Sequence, residues 1–105
     1  MHHPLLIDLK SGRAIVINKP VFRLGRERKY VDYCFNDAEI SRCHCNIICR
    51  DGSYLIADTN STNRTRVDGE YIPANTEREL RNGAIVIIAD RAFMFLLKNA
   101  EAEDE

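Results

Sequence analysis

The sequence has 105 residues, with 15 lysines and arginines against 16 aspartates and glutamates, and a formal net charge of −1. This length is typical of one domain, and the near-neutral charge argues against strong nonspecific binding to nucleic acid. Because the longest apolar runs have six residues, against the roughly 20 that a membrane-spanning helix needs, we expect neither nucleic acid nor a membrane as a partner.

Short segments of strand character recur along the chain, and turn residues separate them. Lys10-Ser11-Gly12, Asp51-Gly52, Asp68-Gly69 and Asn82-Gly83 supply the turn chemistry of hairpins. Between these turns the sequence predicts strands at 5–9, 13–18, 21–25, 44–50, 53–58, 65–67, 70–72, 84–89 and 92–97. Many short strands at close spacing predict an all-β fold, a β-sandwich.

Two segments do not follow the strand pattern. Thr76 and Glu79 have capping-box spacing, so a single helical turn is an alternative within residues 75–82. Residues 99–105 carry four carboxylates and no bulky apolar side chain. We therefore expect one domain at 1–98, followed by an acidic, disordered tail at 99–105.

Three loops hold more polar side chains than a turn requires. They span residues 25–29, 41–44 and 58–65 and offer guanidinium groups, hydroxyls and carboxamides. Arginine supplies a planar fork of donors, and hydroxyls and amides add single donors, which together suit a phosphate group. Loops at one end of a rigid sandwich commonly carry the function.

The motifs in these loops resemble those of the forkhead-associated (FHA) domain family. The matching elements are Gly25-Arg26, Ser41-Arg42-Cys43-His44 and Ser61-Thr62-Asn63-Arg64-Thr65, in that order. The resemblance implies a SMAD/FHA-like β-sandwich of two mainly antiparallel sheets with about eleven short strands. It also implies a module that binds phosphothreonine peptides and catalyses nothing.

The resemblance assigns a role to each matching residue. It implies that Arg26 and Ser41 contact the phosphate and that Arg42 contacts the phosphate or the peptide backbone. It implies that Asn63 holds the peptide main chain and that Thr62 makes a secondary contact to the phosphoresidue. The residues expected to support the site structurally are Gly25, His44, Ser61 and Thr65.

The sequence departs from the family pattern at Arg64, where the family usually has glycine. If that turn needs a positive φ, a residue other than glycine costs roughly 1–2 kcal/mol. The hairpin at Asp90-Arg91 is also short. Selectivity for peptide residues beyond the phosphothreonine is therefore expected to be weak, or biased toward acidic residues by Arg91.

The four cysteines raise the question of a metal site. Without a visible secretion signal, they are expected to be free thiols in a reducing cytoplasm. Their spacing lacks the paired C-x-x-C of structural zinc sites. Cys43, Cys45 and Cys49 stand at even intervals with Ile47, which predicts one shared core face and leaves His44 on the other. We expect no metal and no cofactor.

The sequence thus predicts a monomeric, non-enzymatic module whose partner is a protein phosphorylated on threonine by a Ser/Thr kinase. The alternative is a phosphate-independent docking or scaffold module that uses the same loop surface. An enzyme would need a nucleophile and a base within reach of each other, and the spacing supplies no such pair.

Overall fold

A computed structural model describes residues 3–97. Eleven strands and one short 3₁₀ turn at Arg28–Tyr30 follow one another along this part of the chain. The strands are β1 (Leu5–Asp8), β2 (Ala14–Val16), β3 (Val21–Gly25), β4 (Tyr33–Cys34), β5 (Cys45–Arg50), β6 (Ser53–Asp58), β7 (Thr65–Val67), β8 (Glu70–Tyr71), β9 (Glu77–Leu80), β10 (Ile85–Ile88) and β11 (Arg91–Leu96).

The strands form two sheets, as the resemblance implied. One sheet has six strands in the order β2-β1-β11-β10-β7-β8, and the other has five in the order β4-β3-β5-β6-β9. The pairs are antiparallel except for β3 and β4, which run parallel. The predicted all-β sandwich is therefore confirmed.

The core lies between the two sheets and follows from alternation along the strands. In β11, Phe93 and Phe95 are buried while Met94 between them is less so. In β5, Cys45 and Ile47 are buried on the same side. Since successive side chains of a strand point to opposite faces, each sheet contributes one apolar face to a shared core.

The hairpins follow from their turn residues. Asp51 and Gly52 have φ of 53° and 81°, and Asp68 and Gly69 have φ of 51° and 87°. Two consecutive positive φ values define the type I′ geometry that matches strand twist. Both Asp-Gly hairpins are therefore formed as the sequence predicts.

One alternative and one expectation were wrong in detail. Residues 75–82 contain strand β9, which pairs with β6, rather than a helical turn. The Thr76 hydroxyl donates to the carbonyl of Pro73 instead of capping a helix. The segment is too short to form a stable helix by itself, in spite of its capping signal. Pairing with the edge of the sheet and burial of Leu80 therefore favour the strand.

The predicted shared face of three cysteines was also wrong. Cys45 is fully buried, but Cys43 precedes the strand and is exposed, and Cys49 near the strand end is exposed as well. Alternation applies only within a paired strand, so it does not extend to Cys43. Cys49 lies within β5 and pairs with Tyr54, but it is close to the end of the strand and is exposed there. The predicted tail at 99–105 lies outside the described residues.

Residues 3–97 contain no helix with the length and apolar character needed to cross a bilayer.

Candidate functional site

The three polar loops meet at one end of the five-stranded sheet, where strands β3, β5 and β6 begin or end. Strand β5 lies between β3 and β6 and is antiparallel to both. The end of β3, the start of β5 and the end of β6 therefore lie side by side. This topology brings Arg26, the pair Ser41-Arg42 and the pair Thr62-Asn63 to the same end of the sandwich.

Gly25 allows the first two loops to approach closely. The Arg26 amide lies 3.0 Å from each of the carbonyl oxygens of Ser41 and Arg42, and the Glu27 amide donates to Arg42 at 3.2 Å. A Cβ on Gly25 would lie 2.0 Å from the Arg42 carbonyl oxygen. Glycine is needed here for this contact, because any side chain would push the Ser41-Arg42 loop away from β3.

Arg26 is exposed and is held by only one of its five N–H donors. Its Nε donates to the carbonyl oxygen of Ile40 at 2.8 Å. The two terminal NH₂ groups make none of the hydrogen bonds or ion pairs found within residues 3–97. The backbone contact thus fixes the stem of the side chain and leaves a fork of donors for a ligand.

Arg42 is exposed beside Arg26. Its carbonyl takes part in the contact with β3, but its side chain makes no hydrogen bond or ion pair within the described part of the chain. Its positive charge is therefore available to a ligand, but no contact within residues 3–97 fixes the orientation of the side chain.

The Ser41 hydroxyl connects the second loop to the third. Its Oγ lies 2.9 Å from the Thr62 amide. Since an amide can only donate, Oγ is the acceptor and its own hydrogen is left for another partner. Thr62 therefore contributes its amide to the arrangement, while its side chain is exposed.

His44 links the second and third loops from the core side and is completely buried. The Ser41 amide donates to Nδ1 at 3.0 Å, so Nε2 must carry the proton, and it donates to the carbonyl of Arg64 at 3.0 Å. Burial holds the pKa of His44 below its ordinary value, although the Arg64 carbonyl and the Asp58 carboxylate act in the opposite direction.

Asp58 organises the third loop from inside. Its carboxylate accepts from the Ser61 hydroxyl, from the Ser61 amide at 2.9 Å and from the Thr65 hydroxyl at 2.7 Å. Burial acts to raise the pKa of Asp58, but these hydrogen bonds outweigh it and the pKa is lowered. Ser61 and Thr65 are both buried, so they hold the loop and do not face a ligand.

Asn63 is positioned by a residue that the sequence analysis did not single out. Its Nδ2 donates to the main-chain oxygen of Glu39 at 2.7 Å and lies 3.0 Å from Glu39 Oε1. Because both acceptors face Nδ2, the amide oxygen Oδ1 is left as an acceptor for a peptide N–H. Glu39 stands in no recognisable motif, and only the folded loop brings it to Asn63.

The thiol of Cys45, at the start of β5, is buried beneath the site. Burial raises the pKa of Cys45 to about 12, so the buried thiol stays protonated at neutral pH. Within residues 3–97, no three His, Cys, Asp or Glu side chains are grouped to hold a metal ion.

The comparisons with known proteins identify the family. The family model described as the FHA domain matches residues 22–89, and the chain belongs to this family. No curated protein matches the sequence significantly.

Solved structures share the fold. EmbR of Mycobacterium tuberculosis, solved in complex with a low-affinity phosphopeptide, is 29% identical with a TM-score of 0.85; the match covers 92% of this chain and 25% of EmbR. An FHA domain solved in work on phosphothreonine-dependent FHA interactions is 25% identical with a TM-score of 0.78, covering 90% of this chain and 95% of that one.

A more distant relative shows the fold alone. The N-terminal FHA domain of Rad53p from S. cerevisiae, in complex with a phosphothreonine peptide, is 19% identical with a TM-score of 0.82. That match covers 93% of this chain and 95% of the yeast domain. The chain thus corresponds to whole FHA domains but to only about a quarter of EmbR.

Proposed function

We propose that this chain binds phosphothreonine-containing segments of partner proteins through Arg26, Ser41, Arg42, Thr62 and Asn63. The observation that carries the proposal is the bridge between loops at Ser41. Its hydroxyl oxygen accepts from Thr62, so its hydrogen stays available beside the free guanidinium donors of Arg26. These are donors for phosphate oxygens, and Asn63 Oδ1 is an acceptor for the peptide main chain.

The energetics suit a reversible switch. A phosphothreonine carries about −1.5 to −2 charge at pH 7 and three strong acceptor oxygens. Each hydrogen bond to a charged group contributes roughly 1.5–3 kcal/mol. Two or three such bonds with main-chain contacts reach micromolar affinity, about −8 kcal/mol. Without the phosphate, most of this binding energy is lost.

The relatives support the same function. EmbR is solved with a phosphopeptide, and the FHA domain at 25% identity is described by its phosphothreonine-dependent interactions. FHA domains are binding modules, and we propose that this one likewise has no catalytic activity and needs no cofactor. We further propose that residues 1–98 are the binding unit, followed by an acidic tail at 99–105.

The cellular setting belongs to the same proposal. The partner is a protein phosphorylated by a Ser/Thr kinase, and the domain acts as a monomer in the cytoplasm. The free thiols support a reducing compartment, and dependence on a phosphorylated residue supports a kinase product as the partner.

The test compares matched phosphorylated and unphosphorylated threonine peptides by isothermal titration calorimetry. Arg26→Ala is expected to lose about 2–5 kcal/mol of binding free energy while the melting temperature changes little. Arg81→Ala removes the same charge at the opposite end of the sandwich and is the matched control. Equal binding of both peptides to the wild type would instead favour the phosphate-independent docking module.

A further inference from the structure

Arg64 occupies a backbone conformation that favours glycine. Its φ is 69°, in the left-handed region. For a residue with a Cβ this conformation costs roughly 1–2 kcal/mol. Strain of this kind persists where surrounding contacts impose it and is often found at functional sites.

The guanidinium of Arg64 lies over an exposed aromatic ring together with a second arginine. Its Cζ is 5.2 Å from the ring centroid of Tyr71, and the Cζ of Arg66 is 5.3 Å from the same centroid. Tyr71 is 56% exposed. The ring attracts each cation through its π face and positions both side chains at the surface.

The two positive charges are not neutralised by the protein. Within residues 3–97, neither Arg64 nor Arg66 has a carboxylate within 4.0 Å, and the nearby Glu70 is paired with Arg78 at 3.0 Å. Both guanidinium groups lie near one exposed ring without a compensating carboxylate in the described part of the chain, so an anion bound beside either of them gains a favourable electrostatic interaction. The arrangement therefore suits a negatively charged ligand.

This cluster is continuous with the candidate phosphopeptide site. Arg64 directly follows Asn63, and its carbonyl oxygen accepts from His44. Arg91, the residue that the sequence suggested for an acidic bias, is instead paired with Asp8 at 2.8 Å and lies over the ring of Phe35. Its charge is already satisfied, so Arg64 and Arg66, rather than Arg91, add open positive charge next to that of Arg26 and Arg42.

We infer that Arg64, Arg66 and Tyr71 form an accessory anion subsite that selects phosphothreonine peptides carrying a second negative group. This inference rests on the proposed function and deepens it. The shared chemistry is an anionic oxygen group, which a peptide supplies as an Asp or Glu carboxylate or as a second phosphate. Bidentate arginine contacts suit both groups.

The test uses three sets of peptides built on one phosphothreonine sequence. The first has neutral flanks, the second has one aspartate moved through the flanking positions, and the third has a phosphoserine at the same positions. Affinities are measured for the wild type, Arg66→Gln and Arg64→Gly, with Arg81→Gln as the charge-matched control at the opposite end of the sandwich.

For at least one flanking position, the wild type is expected to prefer the doubly charged peptide over the neutral one by about three- to fivefold at low salt. Arg66→Gln and Arg64→Gly lower this ratio toward one, whereas Arg81→Gln retains it. High salt reduces the preference because the pair is exposed. Comparison of the aspartate and phosphoserine sets identifies which anion the subsite prefers.

The inference is overturned if the ratio in both variants equals that of the wild type at every position, or if the wild type itself shows no preference. In those cases phosphothreonine binding remains and only the subsite is rejected. Absence of binding to all phosphorylated peptides would reject the proposed function as well.

Discussion

The amide of Thr62 donates a hydrogen bond to the hydroxyl oxygen of Ser41 at 2.9 Å, across 21 positions of sequence. The same serine receives a second constraint through its own amide, which donates to His44 at 3.0 Å. The two bonds fix both the backbone and the side chain of Ser41. A hydroxyl that is already oriented loses little conformational entropy when a phosphate binds.

Removal of the Ser41 hydroxyl should therefore weaken phosphopeptide binding more than it weakens the fold. Ser41→Ala is expected to cost about 1.5–3 kcal/mol in binding, the value of a hydrogen bond to a charged group. Stability should fall by only about 1 kcal/mol, because the Thr62 amide at the exposed loop can bond water instead. Calorimetry and thermal melting measure the two effects. Ser53→Ala, on the exposed start of β6, should change neither, and an unchanged affinity for Ser41→Ala would remove this serine from the site.

Gly25 offers a test of the loop packing. Gly25→Ala places a Cβ 2.0 Å from the Arg42 carbonyl oxygen, so the Ser41-Arg42 loop must move. We expect a loss of stability of at least about 2 kcal/mol together with loss of phosphopeptide binding.

The control for this prediction is Gly12→Ala in the turn between β1 and β2. Gly12 has a φ of 80°, and a Cβ added to it would have no neighbouring atom within 4 Å. Its substitution should cost about 1–2 kcal/mol of stability without changing the affinity for phosphopeptide. Denaturant unfolding measures the stability of both variants, and calorimetry measures their affinity for phosphopeptide. Together they distinguish backbone strain, which affects stability alone, from movement of the Ser41-Arg42 loop, which also affects binding. Wild-type affinity in Gly25→Ala would contradict the packing argument.

The sequence predicts most of the fold because its local signals agree with the tertiary structure. Asp51-Gly52 and Asp68-Gly69 adopt the positive φ values that type I′ hairpins need. Strand β9 was missed because its alternation is weak, with only Leu80 buried, and its pairing with β6 is not local. Strand β4 has two residues, which is too short for any periodicity.

Only part of the candidate site can be predicted from the sequence. The motif pattern predicts Arg26, Ser41 and Asn63, whose loops the topology does bring to one end of the sandwich. Glu39 was missed because its contact with Asn63 spans 24 positions and depends on loop conformation. The predicted Asp68-Gly69 hairpin pairs Arg66 with Tyr71. The position of Arg64 over the same ring depends on the conformation of the loop before β7, which the sequence does not specify.

The buried imidazole of His44 should make the free energy of unfolding depend on pH. Its pKa lies below the ordinary value, 6.5, because burial disfavours the charged form. As the pH falls below 6.5, the unfolded chain takes up a proton that the folded protein does not, so stability falls until the folded pKa is reached. The slope from this residue cannot exceed about 1.4 kcal/mol per pH unit.

The measurement is the free energy of unfolding between pH 7.5 and 5.5, by denaturant titration. His44→Gln should be less stable than the wild type at pH 7.5, because a buried ring with two hydrogen bonds is lost. It should also show a flatter pH dependence, since it lacks the buried imidazole whose pKa is lowered. Parallel curves would mean that His44 does not account for the acid sensitivity.

Arg64 provides a measurement of backbone strain at the loop next to the candidate site. Arg64→Gly and Arg64→Ala both remove the guanidinium from Tyr71, which costs about 0.5–1 kcal/mol at an exposed position. They differ in the Cβ, because only glycine adopts a φ of 69° without strain. Glycine loses more conformational entropy on folding, but the relief of about 1–2 kcal/mol is the larger effect. Arg64→Gly should therefore be more stable than Arg64→Ala by up to about 1 kcal/mol in chemical unfolding. If the alanine variant is equally stable or more stable, the arginine is not strained and its presence at this turn has no energetic cost for the fold.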